Sequence, residues 1–168
     1  MNMDFFSDSC REAPRTEQKF GLCDDIPGGR AYSDHSDPAK WLATVVNQNE
    51  IAVVFTAIDK CVIQDHDEPG RGRCDGMLTA DHLLYMVELK DRTPPWQADA
   101  IQQLESTILF LKEHHDIQAF TYKKAFACNK QSGKFVTLDN EANLRFFRKH
   151  GFRLDLQSDI LIVPKRST

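Results

Sequence analysis

Apolar residues along the chain recur with two different periods. "KWLATVVNQNEIAVVFTAIDKCVI", Lys40–Ile63, is rich in β-branched and aromatic residues and is interrupted by the polar "NQNE". This predicts two strands joined by a tight turn. Two more strands are expected at Arg73–Ala80 and Leu83–Lys90. After Thr93 the period lengthens, and Gln97, Ala100, Ile101, Leu104, Ile108 and Leu111 fall on one helical face. Thr93 is suited to cap that helix and Pro94 to occupy its first position, where a missing N–H costs nothing. The helix should fade at His114–His115–Asp116. "AFTYKKAFACNK" returns to strand composition, and "DNEANLRFFRKHG" reads as a helix that starts at Asp139 or Asn140 and stops at Gly151. "FRLDL" and "DILIVP" predict two short closing strands.

Residues 1–38 show little periodicity. A short helix is expected over Arg15–Leu22, followed by "DDIPGGRAYSDHSDP", whose Asp, Pro, Gly and Ser content is that of a loop. The pattern therefore predicts one α/β domain over 1–168: an irregular segment with a short helix at 1–38, a core at 39–130, and a closing helix and strands at 131–168. No internal repeat is visible. The expected architecture is a central mixed sheet flanked by helices.

Composition changes this picture little. At 168 residues, with 41% hydrophobic and 27% charged residues, the chain is long enough to bury a core. No apolar run approaches the roughly 18 to 20 residues of a membrane span, so no membrane partner is expected. The first residues lack the basic start and apolar stretch of a secretory signal. Five cysteines at 10, 23, 61, 74 and 128 are odd in number and include no C-x-x-C. That spacing argues against a zinc site and against a disulfide framework, and makes a reducing cytoplasm the simplest home. Cys61 and Cys128 lie in strand-like segments and are expected to be buried. Charge adds more: residues 1–100 hold 10 Lys/Arg against 18 Asp/Glu, and residues 101–168 hold 11 against 7. An asymmetry of this kind points to a side that faces a polyanion.

The candidate chemistry lies in "CDGMLTADHLLYMVELKDR", Cys74–Arg92. If the chain turns tightly at Asp81–His82, cross-strand partners have numbers that sum to 163, and Asp75 stands opposite Glu88. Directly opposed residues share a face with Cβ atoms about 4.5–5.5 Å apart, a distance at which two carboxylates repel. Lys90 falls on the same face, two residues beyond Glu88. The bland interpretation is a solvated strand-end ion pair worth little. The functional one is a site for magnesium, which binds through one or two carboxylates and keeps several waters. Asp75 and Glu88 would supply the carboxylates, and the Leu89 carbonyl a further oxygen. A metal there favours phosphodiester hydrolysis, with Lys90 orienting the water or neutralising developing charge.

Asp75, then Glu88-Leu89-Lys90 on the next strand, then a helix, resembles the PD-(D/E)XK nuclease superfamily. Cys74 stands where the superfamily's name has Pro. The resemblance implies a restriction-endonuclease-like core of a helix, three or four strands, a helix and a further strand, over about residues 15 to 130. It implies Mg2+ (Mn2+ may substitute) held by Asp75 and Glu88, with Lys90 assisting the attacking water. It also implies an acidic residue on the first helix, for which Glu17 is the candidate. A Gln on the helix after the E-x-K strand is implied as well, with Gln103 favoured over Gln97 and Gln102. The expected activity is that of a magnesium-dependent nuclease acting on DNA. The alternative is a catalytically silent module of the same fold that binds a protein or nucleic acid.

Other features are weaker. Lys123, Lys124, Arg145, Arg148 and Lys149 are the candidates for phosphate contacts, with Phe146 or Phe147 able to stack on a strand. One of the two Phe residues is expected to pack inward. Trp41 and Trp96 are expected in the core. A chain this small, without a separate DNA-reading domain, leaves room for a homo-oligomer.

Overall fold

Seven of the eight residues of the strand Leu83–Lys90 are buried, because it lies in the middle of a sheet covered on both faces. The computed structural model describes residues 3–132 and 140–165. In chain order the strands are β1 (Lys19–Cys23), β2 (Tyr32–Asp34), β3 (Ala43–Val46), β4 (Val54–Ala57), β5 (Gly76–Thr79) and β6 (Leu83–Lys90). Helix α1 (Gln97–His114), β7 (Tyr122–Asn129), α2 (Asn140–His150), β8 (Arg153–Leu156) and β9 (Asp159–Leu161) follow. The α/β expectation holds, but the strands form two mixed sheets rather than one. The first has the order β2-β1-β3-β9 and the second β4-β5-β6-β7-β8. In the second, β4, β5 and β6 are antiparallel, while β7 and β8 run parallel to β6.

The layers are four-stranded sheet, five-stranded sheet, helices. Phe20, Leu22 and Val45 from the first sheet meet Phe55, Leu78, Tyr85 and Val87 from the second in one apolar cluster. On the opposite face Met77, Leu84, Met86, Ala125 and Ala127 pack against Leu104, Ile108 and Leu111 of α1 and Phe146 of α2. Each of the Leu, Ile, Val, Met and Phe side chains among these contributes about 1.5–3 kcal/mol when fully buried. Helices flank only one face of the five-stranded sheet; the other is covered by the four-stranded one.

Several local expectations change. Arg15–Leu22 is not a helix: Lys19–Cys23 is a strand, with Phe20 and Leu22 on the inter-sheet core. Gly21 between them is required, since a Cβ there would lie 1.9 Å from the Trp41 ring. Trp41 is accordingly half-buried and donates from Nε1 to Asp34. The turn at "NQNE" exists, and Asn47 ties it by hydrogen bonds to both backbone groups of Ile51. Its flanking strands β3 and β4 nevertheless belong to different sheets, so the turn carries the chain between layers. The strand expected at Arg73–Ala80 is confined to Gly76–Thr79. Helix α1 starts at Gln97, not Pro94, because a residue that precedes a proline is disfavoured in helical geometry and Pro95 follows Pro94. Trp96, not Thr93, occupies the position before its first turn, makes no side-chain capping hydrogen bond, and is buried.

Cys10 and Cys61 form a disulfide, and Cys23, Cys74 and Cys128 are free and buried. The expectation against disulfides is thus overturned for this pair, and Cys61 lies half-buried in a loop rather than buried in a strand. The spacing argument missed this pair because residues 51 positions apart are brought together only by the N-terminal segment running along β4, where Arg11 bridges Thr56 and Arg15 bridges Val53. Residues 1–38 are therefore less irregular than expected and hold β1 and β2. Phe146 is buried and Phe147 exposed. Gly151, with φ of 74°, ends α2; Asp139, one of its two expected start signals, lies outside the described residues. Among the described residues no helix is long and apolar enough to cross a membrane.

Candidate active site

The β5–β6 hairpin has the expected register. Gly76 pairs with Val87, Met77 with Met86, Leu78 with Tyr85 and Thr79 with Leu84, around a tight turn at Asp81–His82. One step beyond the last pair, Asp75 stands beside Glu88. Alternation fixes the face. Met77, Leu84 and Met86 point toward α1, so Asp75, Glu88 and Lys90 do too. The site thus sits under α1, at the carboxyl end of β6.

The two acids are deeply placed, with Asp75 8% and Glu88 2% exposed. The Leu89 amide donates to Asp75 Oδ2 at 2.8 Å. A strand residue directs its N–H and C=O to the same edge, so the Leu89 carbonyl lies on the Asp75 side. Lys90 Nζ lies 3.0 Å from Glu88 Oε2 and donates to Gln103 Oε1 at 2.7 Å. Gln103 in turn donates to the Arg73 carbonyl at 3.5 Å. Glu88 Oε1 is buried without a hydrogen-bond partner.

Burial is the main reason that the Glu88 carboxyl is pushed up to about 7, against the opposing pull of Lys90. Burial and the Glu88 charge likewise raise Asp75, with the Leu89 amide acting the other way. Two further acids reach this group. Asp24, just past β1, is raised by burial and by the charge of Asp59, and hydrogen bonding with Asp75 opposes the rise. Asp59 itself is held by Arg73 Nε at 2.5 Å, and its amide donates to the Cys74 carbonyl.

Among the described residues no three His, Cys, Asp or Glu side chains are gathered as a ready-made metal cage. Magnesium does not need one, since one or two carboxylates and several waters suffice. The unpartnered Glu88 oxygen beside a second buried carboxyl fits a hard cation, because an orphaned buried acceptor is costly until something positive meets it. A cleft of about 300 Å³ opens next to Lys90, lined by Gly70, Arg71, Gly72, Asp99, Gln102 and Gln103.

The structure brings Asp75, Glu88, Leu89, Lys90 and Gln103 together. It does not place Glu17 on a helix: Glu17 precedes β1 and pairs with Arg15 at 2.8 Å. No hydrogen bond or ion pair among the described residues joins it to the group. Asp24, Asp59 and Arg73 were missed. "CDDIPGG" reads only as a loop, and no sequence spacing ties it to Asp75; the β1–β3 pairing delivers it.

The five basic candidates do not surround the acids. Lys123 and Lys124 pair with Leu84 and Tyr85, at the opposite end of β6 from Lys90. Lys124 is engaged by Asp155 at 3.6 Å and Lys149 by Glu105 at 3.4 Å. Arg145 and Lys149 border a hollow between α1 and α2, and Arg148 is exposed on α2.

No family model matches the chain, and neither a curated protein nor a solved structure is significantly similar to it.

Proposed function

We propose that the chain is a metal-dependent nuclease with a restriction-endonuclease-like core, hydrolysing phosphodiester bonds of DNA. The observation that carries this reading is the buried Asp75–Glu88 pair, with Lys90 held between Glu88 and Gln103 and one Glu88 oxygen unsatisfied. The order of three antiparallel strands, a helix and a strand parallel to the third supports it, with the departure that a strand replaces the first helix. Mg2+ or Mn2+, when bound, would acidify a water and stabilise charge on a phosphoryl oxygen.

The chain's own contribution is orientation. Asp75 is fixed through one oxygen by the Leu89 amide. Gln103 holds Lys90 in line with Glu88, so the ammonium is positioned before substrate arrives and can meet negative charge as it develops. The test is cleavage of labelled linear and branched DNA by purified protein with Mg2+ or Mn2+. Metal-dependent cleavage that disappears in Glu88→Gln is expected; wild-type protein inert on all these substrates would overturn the reading.

One observation favours a catalytically silent module instead. Lys90 is already engaged by two partners within 3.0 Å, so its charge is met within the chain. Such a module would bind DNA or protein without cutting.

A further inference from the structure

At the end of the sheet remote from the acids, Thr121 just before β7, Tyr122, Lys123 and Lys124 of β7, Phe147 and Gly151 at the end of α2, and Arg153 of β8 enclose a hollow of about 340 Å³. Phe147 is 42% exposed, and the Arg153 guanidinium lies over its ring at 5.1 Å. A large aromatic exposed beside a concave surface is not explained by packing, since its neighbour Phe146 already supplies the helix's anchor in the core.

The charge of the hollow is unbalanced. Lys123 Nζ donates to the Phe120 carbonyl at 3.0 Å. Among the described residues no carboxylate lies within ion-pair distance of Lys123 or Arg153, and Asp155 engages Lys124 at 3.6 Å. The site therefore presents cations with unspent charge and one stacking face.

We propose that this hollow binds single-stranded nucleic acid, with a base stacked on Phe147 and the flanking phosphates on Lys123 and Arg153. Aromatic platforms beside cationic grooves hold strands in this way, because every base has a π-face. At about 340 Å³ the hollow has room for one unstacked base. The inference takes its partner class from the nuclease reading but not its chemistry. Lys123 is on the same sheet face as Glu88 and four register positions from it, about 13 Å at the rise of a strand. The hollow is therefore separate from the acids, because Leu84, Met86 and Ala125 between them are fully buried under α1.

The test is binding without cleavage, in EDTA, by fluorescence anisotropy with a single-stranded oligonucleotide of about 12 nucleotides, within the site sizes such surfaces occupy. Wild type should bind it at least tenfold more tightly than an abasic strand of equal length. Phe147→Ala should erase that difference while keeping the wild-type melting temperature, since the ring is exposed. Lys123→Gln combined with Arg153→Gln should flatten the slope of log affinity against log salt by about 1.4, at roughly 0.7 for each phosphate contact. Equal affinity for the abasic strand, or unchanged binding by Phe147→Ala, would overturn the proposal. Because no metal is present, base-dependent binding by a protein that cuts nothing would leave this site standing and remove the nuclease reading; cleavage without Phe147-dependent binding would do the reverse.

Discussion

Glu88 Oε2 lies 3.0 Å from Lys90 Nζ, and the two side chains, separated by one residue on β6, are only 3% and 15% exposed. At such burial the pair behaves differently from a surface ion pair. Removing one partner strands a charge, and the loss is several times what the intact pair contributes.

Lys90→Ala should therefore destabilise the protein by about 3 kcal/mol at pH 8. At pH 5.5, where Glu88 is protonated, the cost should fall below about 1 kcal/mol. In a Glu88→Gln background the same substitution should cost little at either pH. Urea titrations of the four proteins at both pH values measure this. A cost that is the same in both backgrounds would show that Lys90 contributes by packing alone.

The folded protein should lose stability as pH rises toward and beyond 7 without metal. Glu88 titrates near 4.5 as an unperturbed group and at about 7 in the folded protein, because of burial. Between these values the native state binds the extra proton, so this contribution is complete below about 4.5 and is lost through about 7. Added Mg2+ or Mn2+ at pH 8 should restore it. At a hundredfold excess over the dissociation constant the gain is about 2.7 kcal/mol, or about 5 to 10 °C in melting temperature. Glu88→Gln should flatten the pH profile and abolish the metal response.

Gln103→Leu should slow cleavage about 10- to 100-fold while leaving metal-induced thermal stabilisation intact. Gln103 touches Lys90 and the Arg73 carbonyl but neither acid. Loss of metal stabilisation in this variant would move Gln103 from positioning Lys90 to holding the cation.

Reducing the Cys10–Cys61 bond should cost about 4 kcal/mol, the chain-entropy expectation for a loop of this length. Cys10→Ser with Cys61→Ser should melt like the reduced wild type. Thiol titration of the unfolded, unreduced protein should find only the three remaining cysteines. Five reactive thiols would rule the bond out.

The central hairpin was legible because its determinants are local. A turn of two residues fixes the register of everything it joins, and burial on both faces of β6 leaves an apolar run that ends in Glu88-Leu89-Lys90. Helix α1 was legible for the same reason: Ala100, Leu104, Ile108 and Leu111 repeat at its period and are all fully buried. Asp24 was not, because its nearness to Asp75 depends on which sheet β1 joins. The β3–β4 segment misled for a related reason: two good strands joined by a good turn form a hairpin only if both prefer the same sheet. Here Val45 and Phe55 enter one core from opposite layers.

The pairing of Thr44 with Asp159, 115 residues later, sets the order in which this protein can be completed. Synthesis at about 5 to 20 residues per second leaves β3 waiting about 6 to 23 seconds for its parallel partner. Throughout that interval the edge of Ala43–Val46 that is not paired with β1 presents bare backbone donors and acceptors, a template onto which another nascent chain can add. The vulnerable moment in this protein's life is thus on the ribosome, and the last strand to form is the one that ends it.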